Sequence, residues 1–389
     1  MNTKEKDSQY IMHTYGRYNV ALKSGKGAVA YDEDGKKYVD VASGIGVNSL
    51  GWCEDGWVKA VSEQANTIQH MSNYFYCPQA SNLAEKLCTL TGFSKVCFGN
   101  SGAEANECAI KVARKYSFDK YGAERNEIIT LNNSFHGRTV TTLSATGQDV
   151  FHNYFFPFTQ GFAYVDANDM NALENAVTDK TCAVMLELIQ GEGGVNILDK
   201  DYVQRLVKFC NEKDILVIVD EVQTGAGRTG KLFAFQNFDV KPDIFTVAKG
   251  IGGGLPIGLC VCGEKLKDVM SPSTHGTTFG ANPVVCAGAN YVLDKISKPE
   301  FLSEVESKGK YIEEKVLKMD GVKAVRRMGL MIGIELENGD AHDIAAKCVE
   351  NGLIIITAKS LLRMLPPLNI TKKEIDLALS ILEKTLKEN

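Results

Sequence analysis

Through the middle of the chain, short apolar runs alternate with segments whose apolar residues recur every three or four positions. Six runs predict strands: Lys95–Phe98, Glu127–Leu131, Cys182–Leu188, Ile215–Val219, Asp243–Ala248 and Gly258–Cys262. Several are apolar throughout instead of alternating, the pattern of strands covered on both faces. Between them, Ala103–Tyr121 and Tyr202–Lys213 have the spacing of helices with one buried face. Strands alternating with helices predict an α/β fold, a mainly parallel sheet covered on both sides.

The two ends read differently. Ala28–Tyr31 and Tyr38–Val41 flank Asp34-Gly35, a hairpin signature. From about Val284 a long helix is predicted, then strand-like runs at Met331–Leu336 and Gly352–Thr357, then a final helix at Lys372–Lys387. The expected organisation is a large central domain over residues 51–283 and a smaller α+β domain built from residues 1–50 and 284–389. No internal repeat, low-complexity stretch or proline-rich linker interrupts it.

Composition changes this picture little. A chain of 389 residues, 44% hydrophobic and 23% charged, suits two packed globular domains. A net charge of −5 without a long basic run offers nothing to nucleic acid. The start, MNTKEKDSQYIMHTYGRY, lacks the apolar core of a signal peptide, and no apolar segment reaches the ~20 residues that span a bilayer. A cytoplasmic protein without a membrane partner is expected. The eleven cysteines include no C-x-x-C pair, and most, such as Cys97 and Cys182, sit among apolar residues. Buried reduced thiols are expected, with no disulfide framework and no metal.

Three stretches carry chemistry. In GNSGAEANECAIKVAR a strand gives way to a helix after Ser101, and Ser101 and Glu104 have capping-box spacing. Gly102 lets backbone N–H groups approach a ligand where the helix N-terminus favours an anion. In LVIVDEVQTGAGRTG, Asp220 and Glu221 end the most apolar strand, where ligands of such sheets bind. A carboxylate there is costly without a positive partner. Gly225, Gly227 and Gly230 match G-x-G-x-x-G, but too far from the strand, and the aromatic KLFAFQNF that follows opens no helix; a dinucleotide site is rejected. In PDIFTVAKGIGGGLPIG, Lys249 ends another buried run, twenty-nine residues after Asp220, ahead of four glycines.

Each stretch has a plainer reading: a capped helix, a strand-end carboxylate, a solvated lysine. Together they supply what pyridoxal phosphate needs. That cofactor takes an anion cradle, a carboxylate that keeps its ring nitrogen protonated, and an amine to form a Schiff base with its aldehyde. Lys249 can then carry protons between substrate and cofactor. The glycines are expected to leave room for cofactor, substrate and a neighbouring chain.

At this point the chain resembles a class III aminotransferase, of the ornithine and acetylornithine type, within the fold type I pyridoxal phosphate enzymes. The matching motifs span nearly the whole length: TYGRYNVALKSGKG, SNYFYCPQ, NSGAEANECAIKVAR, SFHGRT, GEGG, DEVQTGAGRTG, AKGIGGGLPIG, HGTTFGANPV and LLRMLPPLNIT. The resemblance implies that Lys249 bonds the cofactor and Asp220 pairs with its ring nitrogen. Gln223 would sit near the phenolic oxygen, Ser101, Gly102 and Ala103 would hold the phosphate, and Phe135 would stack on the ring. Thr278 would reach the phosphate bound by a second copy, implying a homodimer with shared sites.

An aminotransferase takes two substrates in turn, and arginine forks suit their carboxylates. The resemblance implies that Arg363 grips the α-carboxylate of glutamate or 2-oxoglutarate, and that Arg138 grips that of the ω-amino substrate. Glu192 would pair with Arg363 and swing away for glutamate; Tyr15 would lie near the substrate tail. The chain length, HGTTFG and RMLPPLNIT are similar to the acetylornithine branch, where ornithine enzymes have phenylalanine and alanine in place of Met364 and Leu365. The implied reaction converts N-acetylornithine and 2-oxoglutarate to N-acetylglutamate semialdehyde and glutamate. Ornithine, 4-aminobutyrate or succinyl-diaminopimelate are the alternative amines; an aminomutase or a non-catalytic pyridoxal-binding regulator are the alternative classes. The chain departs from the family at Gly46, at Trp52 in GWCED (where a histidine and a proline are usual) and at Leu188 (usually proline); Trp52 and Leu188 are expected to reshape the pocket.

Overall fold

The computed structural model describes residues 1–388. Its centre is a seven-stranded sheet in the order Lys95–Gly99, Gly258–Cys262, Ile244–Ala248, Leu216–Asp220, Thr181–Leu186, Glu127–Leu131, Phe162–Val165. The last five run parallel. Gly258–Cys262 runs against both of its neighbours. The mainly parallel sheet is therefore as the sequence predicts. Four of its strands are buried at every position, which is why they read as apolar throughout. Phe162–Val165 escapes the sequence reading because this edge strand is short and only Val165 is buried.

Helices cover the sheet. Gly102–Tyr121 buries Ala105, Cys108, Ala109, Val112 and Ala113, and Lys200–Glu212 buries Val203, Leu206, Val207 and Cys210. The KLFAFQNF run forms only a short 3-10 turn at Ala234–Gln236. It puts Phe233 and Phe235 against Phe245, with ring centroids 4.6 and 5.4 Å apart. That run is core, and no dinucleotide helix follows the glycines.

Three boundaries differ from the sequence reading. The run ending at Leu188 stops as a strand at Leu186; Ile189–Gln190 instead pairs with Asn196–Ile197. The long helix from Val284 is two, Pro283–Ile296 and Pro299–Val316, because Pro299 lacks an N–H and suits the first turn of a new helix. Gly352–Thr357 divides between two sheets. Leu353–Ile354 lies parallel to Lys37–Asp40 of the N-terminal hairpin. Ile356–Ala358 joins an antiparallel sheet with Leu361–Met364, Met331–Leu336 and Val322–Met328.

All eleven cysteines are free. Among the described residues no helix is long and apolar enough to cross a membrane.

Candidate active site

Asp220 is the last residue of its strand, Lys249 directly follows Ala248 at the end of the adjacent one, and the Gly102–Tyr121 helix starts beside them. A cavity of about 450 Å³ opens there, within the usual range for small-molecule sites. Ser101, Gly102, Ala103, Phe135 and Arg138 line one part of it, and Asp220, Gln223 and Lys249 another.

Adjacent strand residues point to opposite faces, and this separates the two carboxylates. Asp220 lines the cavity and is nearly buried. Its Oδ2 accepts from His136 Nδ1 and Asn106 Nδ2, both at 2.8 Å, and its Oδ1 accepts from Val222 N–H at 3.0 Å. Asn106 is itself fixed by Thr246, whose hydroxyl donates to Asn106 Oδ1 at 2.7 Å. Glu221 lies in the core, where it accepts from Thr224 Oγ1 at 2.5 Å and Phe235 N–H at 2.8 Å.

Burial raises the Glu221 carboxyl to about 7, above the ordinary 4.5. The folded state therefore binds a proton that the unfolded chain has released. The associated stability is present in full below about pH 4.5 and is lost as pH rises to about 7, by about 3 kcal/mol. In Glu221→Gln this step disappears. Thermal melts at pH 5 and pH 8 should differ less in the variant than in the parent chain; an unchanged difference would refute the assignment.

Lys249 has φ of +47°, in the left-handed region that side chains with a Cβ adopt only when their surroundings impose it. A 3-10 turn follows at Lys249–Gly252. Burial holds its amine below the ordinary lysine range; Arg363 adds to this, while Glu192, Asp220 and Glu187 oppose it. The glycines after it mostly do not provide room for ligands, contrary to the expectation. A Cβ on Gly253 would lie 2.8 Å from Trp57 Nε1 and from Val292 Cγ2, so protein packing requires glycine there. Only Gly254 of the four lines the cavity.

At the helix start, Ser101 Oγ accepts from Glu104 N–H at 3.1 Å. The reciprocal half of the expected capping box is absent. Glu104 reaches one residue further back, accepting from Asn100 N–H at 2.7 Å and Asn100 Nδ2 at 2.8 Å. A Cβ on Gly102 would stand 2.6 Å from Val222 Cγ1, and one on Gly258 1.9 Å from the Ser101 carbonyl oxygen. Two side-chain-free positions thus shape a cradle at the end of a twenty-residue helix.

Arg363, on the Leu361–Met364 strand, is almost fully buried. Its Nη1 donates to Glu192 Oε1 at 2.8 Å and to Gln223 Oε1 at 3.2 Å, while its Nε is buried without a partner. Glu192 Oε1 also accepts from Gln223 Nε2 at 3.3 Å. Burial works to raise the Glu192 carboxyl, but the Arg363 charge and hydrogen bond, with Lys249 and Gln223, hold it below its ordinary value. Gln223 therefore links the cavity wall to the ion pair.

Arg138 is exposed at the cavity, its guanidinium 4.0 Å from the Phe151 ring centre and 5.5 Å from that of Phe135. Tyr15, 76% exposed, and Thr278, also exposed, do not line the cavity. Nor do the two departures expected to reshape it. Trp52 packs against Gly25 and donates to Asp40 Oδ2 at 3.1 Å, and Leu188 is fully buried away from the cavity.

Three buried residues escape the sequence reading. His136 and Asn106 orient Asp220, and Glu187 accepts from Phe135 N–H at 2.9 Å and Gly191 N–H at 3.4 Å. Burial, and then the Asp220 charge, push the Glu187 carboxyl well above the ordinary range. Signals existed for each. Asn106 lies one helical turn beyond Gly102, His136 follows Phe135, and Glu187 interrupts a buried apolar run.

An anion cradle, an aromatic face, a strand-end carboxylate and a desolvated amine around one cavity fit a ligand with a phosphate, a basic ring and a carbonyl, as pyridoxal phosphate has. The comparisons agree. The family described as Aminotransferase class-III matches residues 10–386. Acetylornithine aminotransferase of Haemophilus ducreyi is 49% identical, covering 99% of this chain and 98% of its own. The ornithine aminotransferase structure from Toxoplasma gondii superposes with a TM-score of 0.94 at 32% identity, over 100% of this chain and 96% of that one. N-acetylornithine aminotransferase from Stenotrophomonas maltophilia gives 0.85 at 36%, over 97% of both. The chain belongs to the class III aminotransferases, enzymes of fold type I that work with pyridoxal phosphate.

Proposed function

We propose that the chain moves the δ-amino group of N-acetylornithine to 2-oxoglutarate, giving N-acetylglutamate 5-semialdehyde and glutamate, a step of arginine biosynthesis. The full-length curated relatives named acetylornithine aminotransferase support this reading. The observation that carries it is the Glu192–Arg363 pair at 2.8 Å, whose charges both act on Lys249. An enzyme with alternating substrates needs a carboxylate-binding arginine that can be masked. An unpaired guanidinium facing an apolar substrate stem would cost several kcal/mol.

Pyridoxal phosphate, when bound, supplies a carbonyl that takes up the amine and a ring that draws electrons from the adjacent carbon. Ser101, Gly102 and Ala103 would hold its phosphate at the helix N-terminus. Asp220, kept in place by His136 and Asn106, would face the ring nitrogen with negative charge. Phe135 would cover a ring face, and Gln223 would donate near the phenolic oxygen. The Lys249 amine, held below the ordinary lysine range by burial, gives up its proton more readily than a solvated lysine and can take one from a substrate carbon. Arg138 would bind the carboxylate of the acyl-amino substrate at the cavity mouth. Glu192 masks Arg363 for that half-reaction and releases it for glutamate. Tyr15, exposed and outside the cavity lining, would lie near the substrate tail.

Thr278 would serve the phosphate of a second copy. A homodimer is supported by the aromatic surface nearby in sequence or motif: Tyr74, Tyr76 and Phe279 are 95%, 99% and 63% exposed. Eleven free thiols suit the reducing cytoplasm.

Ornithine is the second reading, favoured by the Toxoplasma gondii structural likeness. Single-turnover spectroscopy separates them. Mixed with the pyridoxal form, N-acetylornithine should give fast conversion to the pyridoxamine form, reversed by 2-oxoglutarate. Fast conversion with ornithine alone, 4-aminobutyrate alone or succinyl-diaminopimelate alone would overturn the substrate assignment. No conversion by any amine would overturn the transferase reading.

A further inference from the structure

A second cavity, of about 300 Å³, lies beside the edge strand of the large sheet, and its walls include Cys97, Cys108, His275, Glu104, Glu107 and Thr277. Cys97 comes from the Lys95–Gly99 strand, Cys108 from the Gly102–Tyr121 helix, and His275 from the loop before Pro283–Ile296. The two sulfurs and one ring nitrogen all lie within 4.8 Å of one another. Cys108 is buried, and Cys97 and His275 are half-buried. Neither the spacing of the two cysteines nor the distant histidine forms a recognisable metal motif along the sequence.

We propose that Cys97, Cys108 and His275 form a binding site for a soft divalent cation, zinc above all. Two thiolates and an imidazole are the donor set that selects such an ion over magnesium or calcium. Zinc bonds sulfur at about 2.3 Å and imidazole nitrogen at about 2.0–2.1 Å, so tetrahedral ligands stand about 3.5–3.8 Å apart. The three side chains therefore need to close in by at most about 1 Å, within the reach of small χ adjustments. Any proton a sulfur carries is released to solvent as its metal–sulfur bond forms. Water can fill the fourth position of such a tetrahedral shell. Lys111 Nζ lies 3.0 Å from His275 Nδ1 and competes with the ion for the ring. Its side chain reaches the site from the exposed part of the helix, and it can swing aside.

The site has a consequence for the loop. Thr277, two residues beyond His275, accepts from Asn100 Nδ2 at 3.0 Å, and its carbonyl accepts from Asn73 Nδ2 at 3.0 Å. A bound ion would add a third fixed point between this loop and the start of the Gly102–Tyr121 helix.

The test uses the full-length holoenzyme in a Cys53→Ser background, since Cys53 is the exposed thiol. Titration with cobalt(II), displaced afterwards by zinc, should give one ion per chain and a thiolate-to-cobalt charge-transfer band. Cys97→Ala, Cys108→Ala and His275→Ala should each weaken binding about a hundredfold or more, and Lys111→Met should tighten it. A band that survives all three ligand variants, or no band in the parent, overturns the site. If a variant fails to fold, the parent chain still decides: zinc should slow alkylation of Cys97, read by mass spectrometry. Unchanged alkylation with zinc present overturns the proposal. None of these readouts depends on which amine the enzyme accepts.

Discussion

Lys249→Ala should lower transamination by about 10⁴-fold or more while leaving a folded chain, because the group proposed to exchange protons at the reacting carbon is gone. The variant should also lose the visible absorbance that a lysine-linked cofactor gives. Its backbone supplies an internal control. Residue 249 has φ of +47°, a conformation that alanine dislikes as much as lysine does. Lys249→Gly should be equally inactive yet more stable than Lys249→Ala by about 1 kcal/mol, read from thermal melts of the two variants without cofactor. Turnover in either variant within about a hundredfold of the parent chain would remove Lys249 from the chemistry. Equal stability of the two would mean that the positive φ stores no strain.

Arg363→Met should divide the two half-reactions. Losing the buried guanidinium should slow the 2-oxoglutarate half-reaction by about 10²–10³-fold, in keeping with about 3–5 kcal/mol for breaking a buried charged contact. The acyl-ornithine half-reaction should change by less than about tenfold, since Arg138 would carry that carboxylate. Glu192→Gln should act in the opposite sense. It leaves Arg363 unmasked, so the acyl-ornithine half-reaction slows by about 10–100-fold and the glutamate half-reaction is spared. Stopped-flow rates of each half-reaction measure both variants. Equal losses in the two halves would show that the 2.8 Å contact is structural and gates nothing.

The sequence made the central sheet legible because four strands are buried on both faces and carry no polar alternation to confuse them. Asp220 and Lys249 were legible for a related reason. A charged residue closing an apolar run has few structural explanations, and two such strand ends in one chain have fewer. Their supports were harder to see. His136 and Asn106 reach Asp220 from positions 84 and 114 residues away, a proximity that only the folded sheet creates. The glycines after Lys249 misled in the other direction. Their absent side chains suggested space for a ligand, while Gly253 is needed because Trp57 and Val292 already fill that space. The division of Gly352–Thr357 was invisible because Ile355 continues the apolar run through the point where the chain changes sheets.

The pairing of Leu353–Ile354 with Lys37–Asp40 also sets a schedule for synthesis. The N-terminal hairpin leaves the ribosome with one edge complete and the other bare. Its missing neighbour follows only after the whole central sheet has been translated, roughly 15–60 s later at ordinary elongation rates. For that interval the backbone groups of Lys37–Asp40 are open to pairing with another chain. Nascent copies on one message are the nearest such chains. The charged Lys36-Lys37 step at the start of that strand is placed where it discourages them.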